Sequence, residues 1–488
     1  MKHILILFGF LLFITPTLTN ANSDNEPLRM TLQPSVISLD PAGVQDSQSW
    51  IVSRQVNCQL VRSQGSVFVL DAAESIRYIT PLKIILKISN KARFHDGSPV
   101  TSDDVLASFN YIKKSRTILN NLFTWIDKID IIDNKTISFA LKRPIPQFLK
   151  VLSSTNYTIF NKDFLDKAKT DKSLWKNPLG CGGYKVADFN NNYIKLTPVS
   201  QGLPITFFLS KTSQIDASEL EKYDIVGINV IGTSKELDNF NELEMFDPIQ
   251  FYVGLNSNSK KWKSKYERCK FLSELDINGL LASYGNTMKE ANDLLPKGVL
   301  GYNINENFND QMTMLSRKSI NGKLDAKPQP FCLSYLTVSI QEKYKNEYLK
   351  MFKKHYPTVI MKPISDVKKF GKDFLNDNCD AILFAWKSNY LDGYEYLTVF
   401  QKNEGNFSGI YNKTISNQIL HSQDILSAEG RATEYQKIVK EIGDFCIIRP
   451  LFTSPQKRIY VRKTLRTPGI GLISIHQYYL GNITRQPM

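Results

Sequence analysis

Lys91-Ala92-Arg93-Phe94-His95-Asp96-Gly97-Ser98-Pro99-Val100-Thr101-Ser102-Asp103-Asp104-Val105 reads as a strand end, a tight turn and the opening of a helix. Asp96-Gly97 suits the turn, because glycine reaches positive φ without a Cβ clash and aspartate bonds its own downstream backbone. Thr101 or Ser102 can cap the first N–H groups of the helix. Asp103 and Asp104 then fall in its first turn, where carboxylates favour the positive end of the dipole. Val105, Phe109 and Ile112 follow at helical spacing. Upstream, 83–89 alternates as a strand. Downstream, 128–132 and 136–141 flank Asp133-Asn134-Lys135 as a hairpin. Scaffold roles are expected for all of these residues.

Farther out, 28–39 reads as extended chain ending at Leu39-Asp40-Pro41, where the proline keeps Asp40 out of the helical region. Ile51, Val52, Val56 and Leu60 predict a helix over 49–60. Residues 331–340, 341–356, 358–363, 364–376 and 380–386 read as strand, helix, strand, helix, strand. That is an α/β unit built around a parallel sheet. A chain of 488 residues exceeds the roughly 250–300 at which one core stops growing, so at least two lobes are expected. No repeat and no Gly/Ser linker marks a border, so the lobes should be joined by crossings within regular structure.

Hydrophobic residues at 42% and charged residues at 22% exclude collagen-like, coiled-coil and disordered classes. The net charge of +14 is compatible with nucleic acid, anionic lipid, an acidic ligand or a solvated lysine-rich surface. Met1-Lys2-His3, the apolar run 4–14, Pro16 and Thr19-Asn20-Ala21 form a signal-peptide pattern over 1–21. A mature chain beginning near Asn22 in the bacterial periplasm is therefore expected. Export argues against nucleic acid, leaving Lys260-Lys261-Trp262-Lys263-Ser264-Lys265 and 350–355 as solvated faces. Cys58, Cys181, Cys269, Cys332, Cys379 and Cys446 contain no C-x-x-C pair, which leaves disulfides possible in 15 pairings and a zinc site unsupported. No H-E-x-x-H and no G-x-S-x-G occurs, and Gly180, Gly182 and Gly183 lack the Lys-Ser/Thr of a phosphate loop. A non-enzyme without cofactor or metal is expected.

The opening stretch resembles the signature of the family 5 extracellular solute-binding proteins, the peptide/nickel class serving ABC importers. That signature runs F-H-D-G-x-P-[FV]-T-A-x-D-V. Leu39-Asp40-Pro41 is similar to the family's early L-D-P, and Asn177-Pro178-Leu179-Gly180-Cys181-Gly182-Gly183-Tyr184-Lys185 to its P-x-G-T-G-P-Y-K. Tyr266-Glu267-Arg268 with Asp276, Arg431 with Tyr435, and Ile448-Arg449-Pro450-Leu451 follow in the family's order. The resemblance implies an α/β, two-lobed periplasmic binding protein fold of the class II, cluster C type, with an extra inserted small lobe. It places lobe I at 22–65, 175–260 and 455–488, the inserted lobe at 66–174 and lobe II at 261–454. Cys58 and Cys181 then both fall in lobe I, which makes a bridge between them the least strained pairing.

The resemblance also implies a site. Phe384-Ala385-Trp386-Lys387-Ser388-Asn389-Tyr390-Leu391-Asp392 is similar to the family's W-x-x-D-Y-x-D-P strand end, which projects into the interlobe cleft. Trp386, Asn389, Tyr390 and Asp392 are the expected ligand-binding residues. Peptide binders of the family pair their first Asp here with the ligand ammonium. Asn389 takes that position and cannot neutralise an amine, while Asp392 is the carboxylate three residues on. Trp386 suits either a core or a stacking surface in the cleft. The implied function is the solute-binding component of an ABC importer for a peptide or peptide-like ligand. Its partners would be a membrane permease and, through it, an ATPase; a monomer is expected. A secreted enzyme, an orphan sensor or chaperone, and a nickel or haem binder using His421 are the alternatives.

Overall fold

The computed structural model describes residues 26–486, except 43–45, 65–66, 115–120, 213, 285–287, 318–329, 338, 341, 366–369, 377, 388–390, 402–411 and 469–477. Leu28–Leu32 has Leu28, Met30 and Leu32 almost wholly buried on one face and Thr31 on the other, as a strand covered on both faces requires. It pairs in parallel with Ile205–Leu209 on one side and with Ile225–Val226 on the other. Tyr193–Pro198 and Tyr184–Phe189 extend this half of the sheet in antiparallel fashion. The expected unit at 331–386 is present as Phe331–Leu336, Lys345–Lys353, Val359–Ile364, Phe370–Asn376 and Ala381–Lys387. Its three strands pair in parallel and form the other half.

Two long strands, Phe240–Leu255 and Ile448–Arg462, join the halves into one 11-stranded sheet. They run antiparallel to each other from Phe240↔Arg462 to Gly254↔Ile448, with a register shift between Phe246 and Ile249. Ile249–Leu255 pairs with Ala381–Lys387, so the long strand has joined the second half-sheet by residue 249. Sequence periodicity cannot mark that point, because a strand passing from one lobe to the next keeps its alternation.

A separate four-stranded antiparallel sheet holds Ala73–Thr80, Lys83–Ile88, Thr136–Leu141 and Ile126–Asp133 in that spatial order. The expected hairpin closes with Asp133 opposite Thr136. The Asp96 turn forms as expected: Gly97 has φ +88°, and Asp96 Oδ1 accepts from the Ser98 N–H at 2.9 Å. Helix Ser102–Lys114 starts on a reciprocal cap, in which Thr101 N and Oγ1 donate to Asp104 Oδ2. His95 explains why the quoted stretch sits where it does. Its backbone N–H donates to Gly180 O at 2.9 Å and its ring Nε2 meets Gly182 O at 3.2 Å. The first recognisable motif is thus bolted to the second.

The helix expected over 49–60 is Ser47–Val56, capped by Asp46. It stops early because Cys58–Gln59 pairs with Thr158–Ile159, a partner about a hundred residues away. The bridges are Cys58–Cys181, Cys269–Cys446 and Cys332–Cys379, so the expected first pairing is present. None of them links 261–454 to the rest of the chain. One apolar core runs from the four-stranded sheet into the half-sheet around Ala381–Lys387, while a second fills the half around Leu28–Leu32.

Candidate functional site

The two long strands link the half-sheets through a stretch that is only two strands wide among the described residues. Ile225–Val226 flanks them only at Val461 and Tyr460, and Ala381–Lys387 flanks them only from Ile249 onward. Between, from Leu243↔Ile459 to Phe246↔Gln456, the two strands hydrogen-bond to each other with no third described strand beside them. A two-stranded ribbon twists and bends more readily than a wide sheet. Relative motion of the halves should concentrate there.

The strand end singled out by the resemblance is that of Ala381–Lys387. Side chains alternate along it, so Phe384 and Trp386 share a face. Trp386 is half-buried and lies opposite Gln250, while Phe384 stacks on Tyr252 with centroids 5.2 Å apart. Trp386, Tyr252, Phe384, Tyr396 and Phe400 line a small apolar cavity closed by Leu294. Gln250 Nε2 donates to the carbonyls of Asp293 and Leu294, and Tyr252 Oη donates to Leu294 O, which anchors the loop behind the strand. That loop touches the strand end again. Leu300 N donates to Leu391 O and Gly393 N donates to Leu300 O. A Cβ on Gly393 would stand 2.6 Å from Leu300 O, so only glycine permits this approach.

Asn389 and Tyr390 lie outside the described residues. Asp392 is fully buried and caps helix Gly393–Leu397, accepting from Tyr394 N at 3.1 Å. Tyr435 Oη donates to the same Oδ1 at 2.7 Å, and Arg431 Nε stands 4.0 Å from Oδ2. Burial and the Asp392 carboxylate push the Tyr435 phenol well above its ordinary value. Leu391, just before, holds φ +55°, an uncommon and costly conformation for a non-glycine residue. The Asp392 carboxylate is therefore committed to protein groups. Arg431 and Tyr435 were visible only as a resembling motif, and nothing in the local pattern tied them to Asp392.

Other polar groups divide clearly from this site. His421 is exposed beside Asp424, and no group of three metal-ligating side chains occurs among the described residues. A cavity of about 270 Å³ lies elsewhere, between helices Phe308–Arg317 and Ala428–Phe445, lined by Asp293, Asp310, Gln311 and Lys440 among others. Burial raises the Asp293 carboxyl to about 6. No helix among the described residues is long and apolar enough to cross a membrane.

Residues 68–408 match the bacterial extracellular solute-binding proteins, family 5 Middle, which is well over half of the chain. The chain belongs to that family. A probable D,D-dipeptide-binding periplasmic protein, DdpA of Escherichia coli K12, is 24% identical over 300 residues, covering 54% of this chain and 56% of the relative. This family 5 protein thus spans about half the length of the curated relatives it matches. Its fold is shared over nearly its whole length with the murein tripeptide binding protein MppA of E. coli, at 16% identity, TM-score 0.76, and 95% and 99% coverage of the two chains. Helicobacter pylori DppA, solved with the peptide STSA, gives TM-score 0.77 at 16% identity, with the same 95% and 99% coverage. These likenesses establish the two-lobed binding-protein fold that the resemblance implied.

Proposed function

We propose that this protein is the periplasmic binding component of an ABC importer, taking a peptide or peptide-like ligand into the interlobe cleft. The observation that carries the reading is the two-stranded hinge between half-sheets, with the Trp386 strand end beside it. Ligand contacts come from Trp386, Asn389 and Tyr390, and Asp392 serves them from behind by fixing the chain direction after Tyr390. A ligand touching both lobes favours the closed form by its differential affinity, and the closed form is what a permease would receive. Support for peptide-like cargo comes from relatives named for D,D-dipeptide and peptide binding. No disulfide opposes lobe movement, since all three lie on one side or the other of the hinge. We keep the lobe borders that the resemblance implied and move the first crossing to 243–249, where the two long strands pass between the half-sheets.

Native mass spectrometry of the protein purified without refolding tests this. Peptide-like masses released on denaturation are expected. A protein that retains nothing, and gives no heat with a di- to pentapeptide library or its N-acetylated counterpart, would overturn the reading.

A further inference from the structure

The Asp392 cluster continues across the cleft. Gln147, from the inserted lobe and with no measurable exposure, donates through Nε2 to Tyr435 Oη at 3.1 Å. Gln423, on the same side as Tyr435, donates to that oxygen at 3.2 Å. The phenol thus accepts two hydrogen bonds and donates one to Asp392, which uses its full capacity. Two further contacts lie along the same seam. The Trp125 and Tyr394 rings are 5.6 Å apart, and Arg143 Nη1 donates to Leu420 O at 2.8 Å. The shared apolar core between these two parts of the chain records the same closeness.

This seam is incompletely satisfied. Gln147 Oε1 and Gln423 Oε1 are buried without a hydrogen-bond partner, and Asp392 Oδ2 and Arg431 Nε, also without one, meet only as an ion pair at 4.0 Å. A permanent core seldom leaves polar groups around one phenol so poorly matched. An interface that opens can, because each group regains water in the open state. The buried Gln147–Tyr435 hydrogen bond then weighs more than the exposed Arg143–Leu420 one, since losing it inside the closed form strands a buried donor and acceptor.

We infer that Gln147 and Tyr435 form a closure latch, made only when the inserted lobe meets lobe II. Through Asp392, the latch is tied to the start of helix Gly393–Leu397. Both are positioning residues and touch no ligand. The inference rests on the cleft being a closing site, and it holds whatever the cargo.

The test uses the full mature chain without added ligand. Non-cysteine fluorophores at exposed Val36 and Leu426 report the open-to-closed ratio by single-molecule energy transfer. Gln147→Leu and Tyr435→Phe are each expected to raise that ratio about 3- to 10-fold. The double variant should exceed the larger single effect by less than about twofold, because the Gln147–Tyr435 bond is the cross-cleft one that both variants remove. Gln423→Leu, which loses only a same-side partner, should leave the ratio within about twofold. An unchanged ratio in a Gln147→Leu protein of normal thermal stability overturns the latch. So do fully additive effects, or an equal shift in Gln423→Leu. Should Tyr435→Phe fail to fold, the Gln147→Leu and Gln423→Leu pair decides alone. Absent peptide binding with the ratio response intact would sink the cargo reading and leave the latch standing.

Discussion

Asp224 and Asp392 are both buried carboxylates at the ends of strands, and they are held in opposite ways. Asp224 receives the Arg29 backbone N–H at 2.9 Å and its guanidinium at 3.2 and 3.3 Å, with Arg462 at 3.3 Å and Arg485 at 3.8 Å. Three cations tie the starts of Leu28–Leu32 and Ile225–Val226 to the ends of Ile448–Arg462 and Thr484–Arg485. Asp392 has one arginine at 4.0 Å, one helix N–H and one phenol that also answers to the far side of the cleft. The first arrangement is redundant and joins four chain segments in and beside the half-sheet around Leu28–Leu32. The second is sparse and lies at the proposed closing seam. Redundant charge pairing resists any displacement, whereas a site with few partners can exchange them at small cost.

The largest expected effect breaks the redundant side. Asp224→Asn leaves three arginines around a neutral amide and should lower unfolding stability by about 3–5 kcal/mol, the range for stripping one member from a buried ion cluster. Denaturant titration checks it. A loss below 1 kcal/mol would show that the cluster is no more than surface charge. Asp392→Asn keeps the cap acceptor but removes the charge facing Arg431, and about 2 kcal/mol is expected, with open protein favoured over closed.

A third carboxylate sharpens the contrast because burial outweighs the backbone N–H groups that it accepts from Leu295 and Asn303. The folded pKa of Asp293 is raised to about 6 from 3.8. The folded protein therefore holds this proton more tightly than the unfolded chain does. Its contribution to stability falls as pH rises from about 4 to 6 and is constant above. Asp293→Asn should stabilise the protein at pH 7 by about 1–2 kcal/mol and bring no gain at pH 4; thermal melts at the two pH values decide. The smallest effect concerns the cleft itself. Asn389→Asp should tighten binding of unmodified peptides about tenfold, or 1.4 kcal/mol, by supplying the missing counter-charge for an ammonium. Calorimetry that finds tight binding in the natural protein, abolished by acetylating the peptides, would point to another carboxylate.

Much of the architecture was legible because short-range rules govern it. The Asp96-Gly97 turn and the Thr101 cap each involve atoms within three residues, so the local string contains both partners. The strand–helix succession from Phe331 to Lys387 follows from periodicity, which burial on one or two faces imposes. Even the Cys58–Cys181 bridge followed once a familiar order of motifs grouped the segments. What failed was helix length: residues 57–60 carry a helical pattern that pairing with Thr158–Ile159 overrides.

The sequence by itself determined the turns, the caps, the α/β succession and, through its motifs, the family. Only the tertiary structure decided where the hinge lies, that Asp392 faces Tyr435 and Arg431, and that Gln147 reaches across to the same phenol. Those partners are 43, 39 and 288 residues apart in the chain. A carboxylate's role is set by which donors surround it, and no local pattern encodes donors that arrive from tens or hundreds of residues away.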